Sequence, residues 1–144
     1  MGLKTTLSVL ACKASCALLR KMNKGGTTTP GKIALKLNPS VLRDLAKDVT
    51  VTVVTGTNGK TTTARMIDEA MEEAGLSYFA NRSGANLISG IVTIFAQNAS
   101  VSGKCKKRHA LIECDEAAFR TVSKYLDAKC VVVTNVFRDQ LDRY

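Results

Sequence analysis

At 144 residues the chain is long enough for one modest domain with a real core and too short for several. Its formal net charge of +9 suits polyanionic ligands or an anionic surface, but three tyrosines, four phenylalanines and no recognition motif give nucleic-acid binding no support. Cys12, Cys16, Cys105, Cys114 and Cys130 contain no C-x-x-C pair, which argues against metal binding by these cysteines and for reduced thiols in a cytoplasmic protein.

The chain opens on an apolar stretch over residues 7–19, interrupted by Lys13. That is short of the roughly 20 apolar residues a bilayer span takes, and no small-residue cleavage site follows it. Leu3, Leu7, Leu10, Ala14, Ala17 and Leu18 fall at helical spacing, with Lys4, Lys13, Arg20, Lys21 and Lys24 in or beside the segment. Two readings stand: a basic amphipathic helix lying against a membrane surface or a partner, and an ordinary docked helix. Gly25-Gly26-Thr27-Thr28-Thr29-Pro30-Gly31 reads as a turn-rich linker bounding the N-terminal segment, so that 1–38 holds that segment with its linker and 39–144 the domain. Residues 32–37 alternate weakly, and Asn38-Pro39-Ser40 resembles a helix start leading into 41–47.

From there strand and helix alternate. Residues 49–54 form a β-branched, buried-strand pattern, and 61–74 a helix with Ala64, Ile67, Met71 and Ala74 on one face, closed by Gly75. A short strand over 77–80, a helix over 87–97 carrying Ile91, Ile94 and Phe95, and a buried strand over 109–114 follow. A helix over 116–126, a third buried strand over 130–134 and a helix from 138 complete the pattern. Cys114 and Cys130 lie in apolar strand-like runs, where a cysteine is expected to be a small buried hydrophobe. The single histidine, His109, starts a strand with no carboxylate constellation around it and reads as structural or solvent-facing. The fold class is α/β, a parallel sheet covered by helices on both faces, with ligands bound at the carboxyl ends of the strands.

At one such end stands Thr55-Gly56-Thr57-Asn58-Gly59-Lys60-Thr61-Thr62-Thr63. Strand, glycine-bearing loop and helix N-terminus make a phosphate-binding point suited to ATP. Gly56 and Gly59 permit tight turns and close approach, Lys60 reaches β/γ oxygens, and the Thr61 hydroxyl suits magnesium. The general phosphate-loop pattern has a further glycine where Val54 stands. Glu113 closes the next long strand and supplies a hard carboxylate oxygen for magnesium beside Thr61. Asp115 and Glu116 read as residues that start the following helix.

The loop T-G-T-N-G-K-T-T resembles that of the Mur ligase and folylpolyglutamate synthase superfamily, whose members join an amine to a carboxylate at the expense of ATP. The stretch from Thr134-Asn135 to Asp139-Gln140-Leu141-Asp142-Arg143-Tyr144 resembles that family's T-N-x-x-x-D-H-L-D-R-Y segment, whose asparagine lies against the nucleotide and whose histidine helps hold a second magnesium. This implies Thr57, Asn58, Gly59, Lys60, Thr61, Thr62 and Asn135 at the nucleotide, Lys60 and Glu113 in catalysis, and Thr61 and Glu113 at magnesium. Gln140 stands at the histidine position, a weaker metal ligand that departs from the two-metal form. The turn Asn81-Arg82-Ser83-Gly84-Ala85-Asn86 corresponds to the family's G-x-N turn, which implies Asn86 at the substrate.

These departures, with Glu113-x-Asp115-Glu116-Ala117 and the lead-in over residues 25–36, are similar to one branch of the family, the synthetase subunits of bacterial lipid II isoglutaminyl synthases. The resemblance implies phosphorylation of the stem-peptide glutamate of lipid II by ATP, then attack by ammonia from a GatD-type glutaminase subunit, in the cytoplasm or at the inner face of the membrane. Another ligase of the superfamily, acting on folate or a UDP-linked precursor, would carry histidine at position 140. A nucleotide-binding module that forms complexes without catalysis is the reading from a different class. Central domains of the family continue past the D-Q-L-D-R-Y segment and a further domain follows, so this stretch alone is expected to be catalytically inert.

Overall fold

The computed structural model describes residues 2–23, 26–82 and 85–137. Its elements in chain order are α1 (Leu3–Lys21), α2 (Thr28–Leu37), α3 (Val41–Ala46), β1 (Thr50–Thr55), α4 (Lys60–Glu73), β2 (Tyr78–Ala80), α5 (Ile88–Asn98), β3 (His109–Glu113), α6 (Glu116–Val122) and β4 (Ala128–Val133). The four strands form one parallel sheet in the order β2-β3-β1-β4.

Side-chain alternation along the strands divides the core in two. Val51 and Val53 of β1, Ala110 and Ile112 of β3 and Phe79 of β2 pack with Cys12, Ala34, Leu42, Phe95 and Val122, drawn from α1, α2, α3, α5 and α6. Val54, Leu111 and Tyr78 turn to the opposite face, where Ala64, Ile67 and Met71 of α4 cover them. Helices thus flank both faces, as the alternation of elements predicts. Phe95 is fully buried and meets Phe79 edge to face, with ring centroids 5.0 Å apart. Burial of such a ring stabilises by about 1.5–3 kcal/mol.

Residues expected as a linker contribute the first turn of α2. Pro30 falls in that turn, where a missing N–H costs nothing. At Gly31 α2 meets α5 so closely that a Cβ would lie 1.7 Å from the Ser89 carbonyl oxygen. This glycine therefore serves helix packing, which local turn chemistry does not distinguish from a loop. The weak alternation over 32–37 belongs to the same helix, with Ala34 turned inward.

The N-terminal helix forms, docked by the face opposite its leucines. Thr5, Ser8, Val9, Cys12 and Cys16 are buried, while Leu3, Leu7, Leu10 and Leu18 face out. Thr5 Oγ1 donates to Asp44 Oδ2 at 2.5 Å, Asn38 Nδ2 donates to the same carboxylate at 3.1 Å, and Lys13 Nζ donates to the Ala99 carbonyl.

Two strand-level expectations change. The helix expected over 116–126 ends at Val122, and Tyr125 N turns back to the Val122 carbonyl at 2.9 Å. The strand expected to be buried over 130–134 is β4, an edge strand with Cys130, Val131 and Val133 exposed. β1 pairs with one side of it, and no described strand pairs with the other. Cys114 is buried as expected; Cys130 is not. The helix expected from 138 lies outside the described residues.

All five cysteines are free thiols. Burial, and then the neighbouring Asp115 charge, pushes the Cys114 thiol up to about 12; burial and Cys16 push Cys12 up to about 12. The thiolate is the nucleophile. Iodoacetamide at neutral pH should therefore alkylate Cys130 in the native protein and reach Cys12 and Cys114 only after unfolding, as peptide mass mapping will show.

Candidate functional site

At the carboxyl end of β1 the chain turns through residues 55–59 into α4. Gly56 sits at φ +129° and Gly59 at φ +79°, conformations glycine adopts at low cost. A Cβ at Gly56 would meet Thr134 Oγ1 at 2.4 Å and the Asn135 carbonyl oxygen at 2.6 Å; at Gly59 it would meet nothing within 4 Å. The close approach at Gly56 is thus made by the protein's own segment after β4, and the open rim of the loop is at Gly59.

That segment holds the loop in shape. Thr57 N donates to the Asn135 carbonyl at 3.0 Å, Asn58 N donates to Asn135 Oδ1 at 2.9 Å, and Asn135 Nδ2 donates to the Asn58 carbonyl at 3.0 Å. Thr134 Oγ1 donates to the Asn58 carbonyl at 2.7 Å, and Phe137 N to Thr57 Oγ1 at 3.0 Å. Both ends of the Asn135 amide are spent on Asn58. The N–H groups left at the mouth belong to the first turn of α4, Lys60, Thr61 and Thr62, where no side chain caps the helix. Thr55 Oγ1, at the root of the loop, is buried without a partner among the described residues.

Lys60 curls back over its own loop. Its Nζ donates to the Gly56 carbonyl and, at 3.1 Å, to the Thr57 carbonyl, and lies 3.3 Å from Glu116 Oε2. Glu116 is therefore more than the helix-starting residue its position suggests: it is the counter-ion of the loop lysine. Asp115 does start α6, its Oδ1 accepting from Ala117 N at 3.0 Å.

Glu113 reaches the loop because the β1–β3 register sets Val54 beside it. Thr61 Oγ1 donates to Glu113 Oε1 at 3.1 Å, so the two oxygens proposed for magnesium are adjacent. The tip of β3 is fixed by Asn81, a buried residue not singled out from sequence. Its Nδ2 donates to the carbonyls of Glu113 (2.7 Å) and Ala85 (3.0 Å), and its Oδ1 accepts from Glu113 N at 2.8 Å. An Asn directly after a short strand, the first residue of a turn, carries no such signal. Asn86 accepts at its backbone carbonyl from Asp115 N at 3.1 Å, and its side-chain amide has no hydrogen-bond partner among the described residues. Gln140 lies outside the described residues.

A second cluster anchors the same turn to α4. Arg82 Nε lies 2.9 Å from Asp68 Oδ2, another of its guanidinium nitrogens pairs with Glu72, and Tyr78 Oη donates to Asp68 Oδ1 at 2.6 Å. Burial pushes the Asp68 carboxyl up, but the bonds from Arg82 and Tyr78 outweigh it and hold the group below its ordinary range. Burial, and then the hydrogen bond to Asp68, push Tyr78 up to about 12. Between this cluster and the loop runs an open cleft of about 200 Å³ walled by Thr61, Arg65, Asp68, Asn81, Arg82 and Glu113.

The residues present fit a polyphosphate and one magnesium. Magnesium is held through one or two carboxylates together with phosphate oxygens, and Thr61 and Glu113 supply that kind of partial set. No group of three or more His, Cys, Asp or Glu that could hold a metal alone occurs among the described residues. Thr61 and Glu113 belong both to the loop mouth and to the wall of the cleft, so the two adjoin.

Replacing Asn81 by Leu leaves the Glu113 N–H and two carbonyls without their partner in a buried turn. Stability in urea should fall by about 2–3 kcal/mol, read as a lower midpoint at unchanged slope.

Comparison with known proteins matches residues 54–144 to the Mur ligase middle domain. Over its whole length the chain is 42% identical to a MurT subunit of lipid II isoglutaminyl synthase (glutamine-hydrolysing) from Streptococcus pneumoniae, of which it covers 32%. It is 39% identical over 139 residues, 96% of the chain, to the MurT subunit from Staphylococcus aureus, covering 30% of that protein. A UDP-N-acetylmuramoylalanine–D-glutamate ligase from Desulfatibacillum aliphaticivorans is 33% identical over 94 residues, 65% of the chain and 19% of that relative. The chain therefore spans about a third of the length of the MurT relatives it matches.

Proposed function

Because the chain belongs to the Mur ligase family, we propose that it forms the nucleotide-binding part of a synthetase that amidates the stem-peptide glutamate of lipid II in peptidoglycan synthesis. The observation that carries the reading is the contact between Thr61 and Glu113, which joins an uncapped, lysine-bearing loop to a cleft at the carboxyl end of a parallel sheet. The MurT relatives, named for that synthase, support the choice of acceptor.

In this reading the glutamate carboxylate attacks the γ-phosphorus of ATP, the β–γ bridge bond breaks, and ADP leaves behind an acyl phosphate. Ammonia then adds to the carbonyl carbon, the bond from that carbon to the phosphoryl oxygen breaks, and phosphate leaves carrying the proton that the nitrogen gives up, which leaves the isoglutamine amide. A carboxylate is a poor electrophile, and the phosphoryl group supplies its leaving group. Catalysis rests on positioning and on neutralising charge at the transferred phosphoryl group. Lys60 exchanges the Gly56 and Thr57 carbonyls and Glu116 for phosphate oxygens. The first-turn N–H groups of α4 would hold the β-phosphate, and Thr61 and Glu113 would hold magnesium, which when bound would supply positive charge against that of the phosphates. Asn135 keeps the loop in its binding shape, and Asn86 faces the acceptor from the turn after β2. The ammonia comes from a GatD-type glutaminase, because free ammonia is protonated and diluted in water. The protein works in the cytoplasm, where a lipid-linked acceptor brings it to the inner face of the membrane.

Lys60→Ala should weaken Mg-ATP binding at least roughly tenfold, the size of a lost charged contact. Calorimetric titration, with matched melting curves to show that the fold is kept, decides this; equal affinities would remove the lysine from the site. For the reaction itself, the full-length protein should convert lipid II to the amidated product from glutamine only when a glutaminase is added, followed by mass spectrometry. Full-rate amidation from glutamine by the protein alone would overturn the two-subunit reading.

A further inference from the structure

We infer that the outer face of the α1–α2 hairpin is a docking surface for an anionic lipid bilayer. The inference draws support from a lipid-linked acceptor but is built on the hairpin alone.

A helix packed on a core normally turns its larger apolar side chains inward. α1 does the reverse: it buries small and hydroxyl-bearing residues and leaves Leu3, Leu7, Leu10 and Leu18 outside. Its inner face, from Thr5 to Cys16, is consumed by the core. On its outer face Leu3, Leu7, Leu10, Ala14 and Leu18 follow one another at intervals of four, three, four and four residues, forming a single stripe along the helix. Leu3 is 77% exposed, Leu7 50% and Leu18 60%. A contiguous apolar patch of this kind marks an interaction surface.

Charge selects the occupant. No Asp or Glu occurs before Asp44, whereas Lys4, Arg20, Lys21, Lys32 and Lys36 are all exposed on the two helices. Asp44 itself is turned to Thr5 and Asn38. Asn38, at the end of α2, donates to Thr5 Oγ1 at 3.2 Å, so α2 runs back along α1 and brings its exposed Lys36 and Leu37 to the end that carries Leu3 and Lys4. The result is an apolar stripe rimmed by cations of one sign, the pattern of helices that lie in a lipid headgroup region with their apolar side sunk among acyl chains. A second copy on this face would set cation against cation, and protein interfaces are depleted in lysine. No described helix is long and apolar enough to cross a membrane, so the contact is peripheral.

The test is flotation of the full-length protein with vesicles free of lipid II, made either of phosphatidylglycerol mixed with phosphatidylcholine or of phosphatidylcholine alone. The protein should float with the anionic vesicles, float far less with the neutral ones, and be released at high salt, where surface charge is screened. Leu7→Gln with Leu10→Gln should lower partitioning at least roughly tenfold. Lys32→Gln with Lys36→Gln should also weaken it, while melting temperature and Mg-ATP affinity stay unchanged in both. No flotation, equal flotation with neutral vesicles, or flotation indifferent to the leucine substitutions would overturn the inference. So would burial of these leucines in a dimer or by another part of the full-length protein, seen by gel filtration and hydrogen exchange. Because the vesicles contain no lipid II, a failed amidation assay leaves this result standing and the reverse also holds.

Discussion

The site depends on β1 being paired in parallel on both sides. A parallel strand brings its carboxyl end to the same edge as its neighbours', so the loop after β1 meets Glu113 from β3 and Thr134–Asn135 from beyond β4 without any of these being near in sequence. Gly56 is the point of closest contact. The Thr134–Asn135 segment passes where a Cβ would stand, and in doing so takes up the backbone groups of Thr57 and Asn58. A loop held this way has its shape before any ligand arrives, which lowers the ordering cost of binding.

Holding the loop also divides its donors. Thr57 and Asn58 face inward to Asn135, and the first turn of α4 faces out. Lys60 is satisfied in the meantime by two carbonyls and Glu116. A largely buried ammonium without partners would be costly, so its contacts with the two carbonyls and Glu116 are what allow it to sit beside the loop mouth. In the proposed reading a polyphosphate replaces them, so the net gain from the lysine is smaller than a bare charge–charge contact would suggest.

The two helices before the sheet follow a different logic. Small residues on the inner face of α1, and Gly31 at the crossing of α2 with α5, allow close packing on the core. The larger apolar side chains are left outside. Packing and surface chemistry are thereby separated on one helix, the inner face serving the fold and the outer face free for contact.

Much of this was legible in the residues themselves. The strand–loop–helix at 49–74, the α/β alternation and the carboxylate at 113 follow from local periodicity, glycine placement and strand-end position, because each is specified within a dozen neighbouring residues. Which side of α1 faces the core was not legible: Leu3, Leu7, Leu10 and Leu18 make its more apolar face, yet Thr5, Ser8, Val9, Cys12 and Cys16 pack inward, because only the neighbours on α2 and α5 choose between the two. The same holds for β4, whose apolar run reads as buried although no described strand covers its outer side, and for Gly31, which reads as a turn but is a contact. The pairing of Lys60 with Glu116 and the bracing of Glu113 by Asn81 join residues 56 and 32 positions apart. Such contacts are set by strand order, and strand order is decided only when the whole sheet assembles.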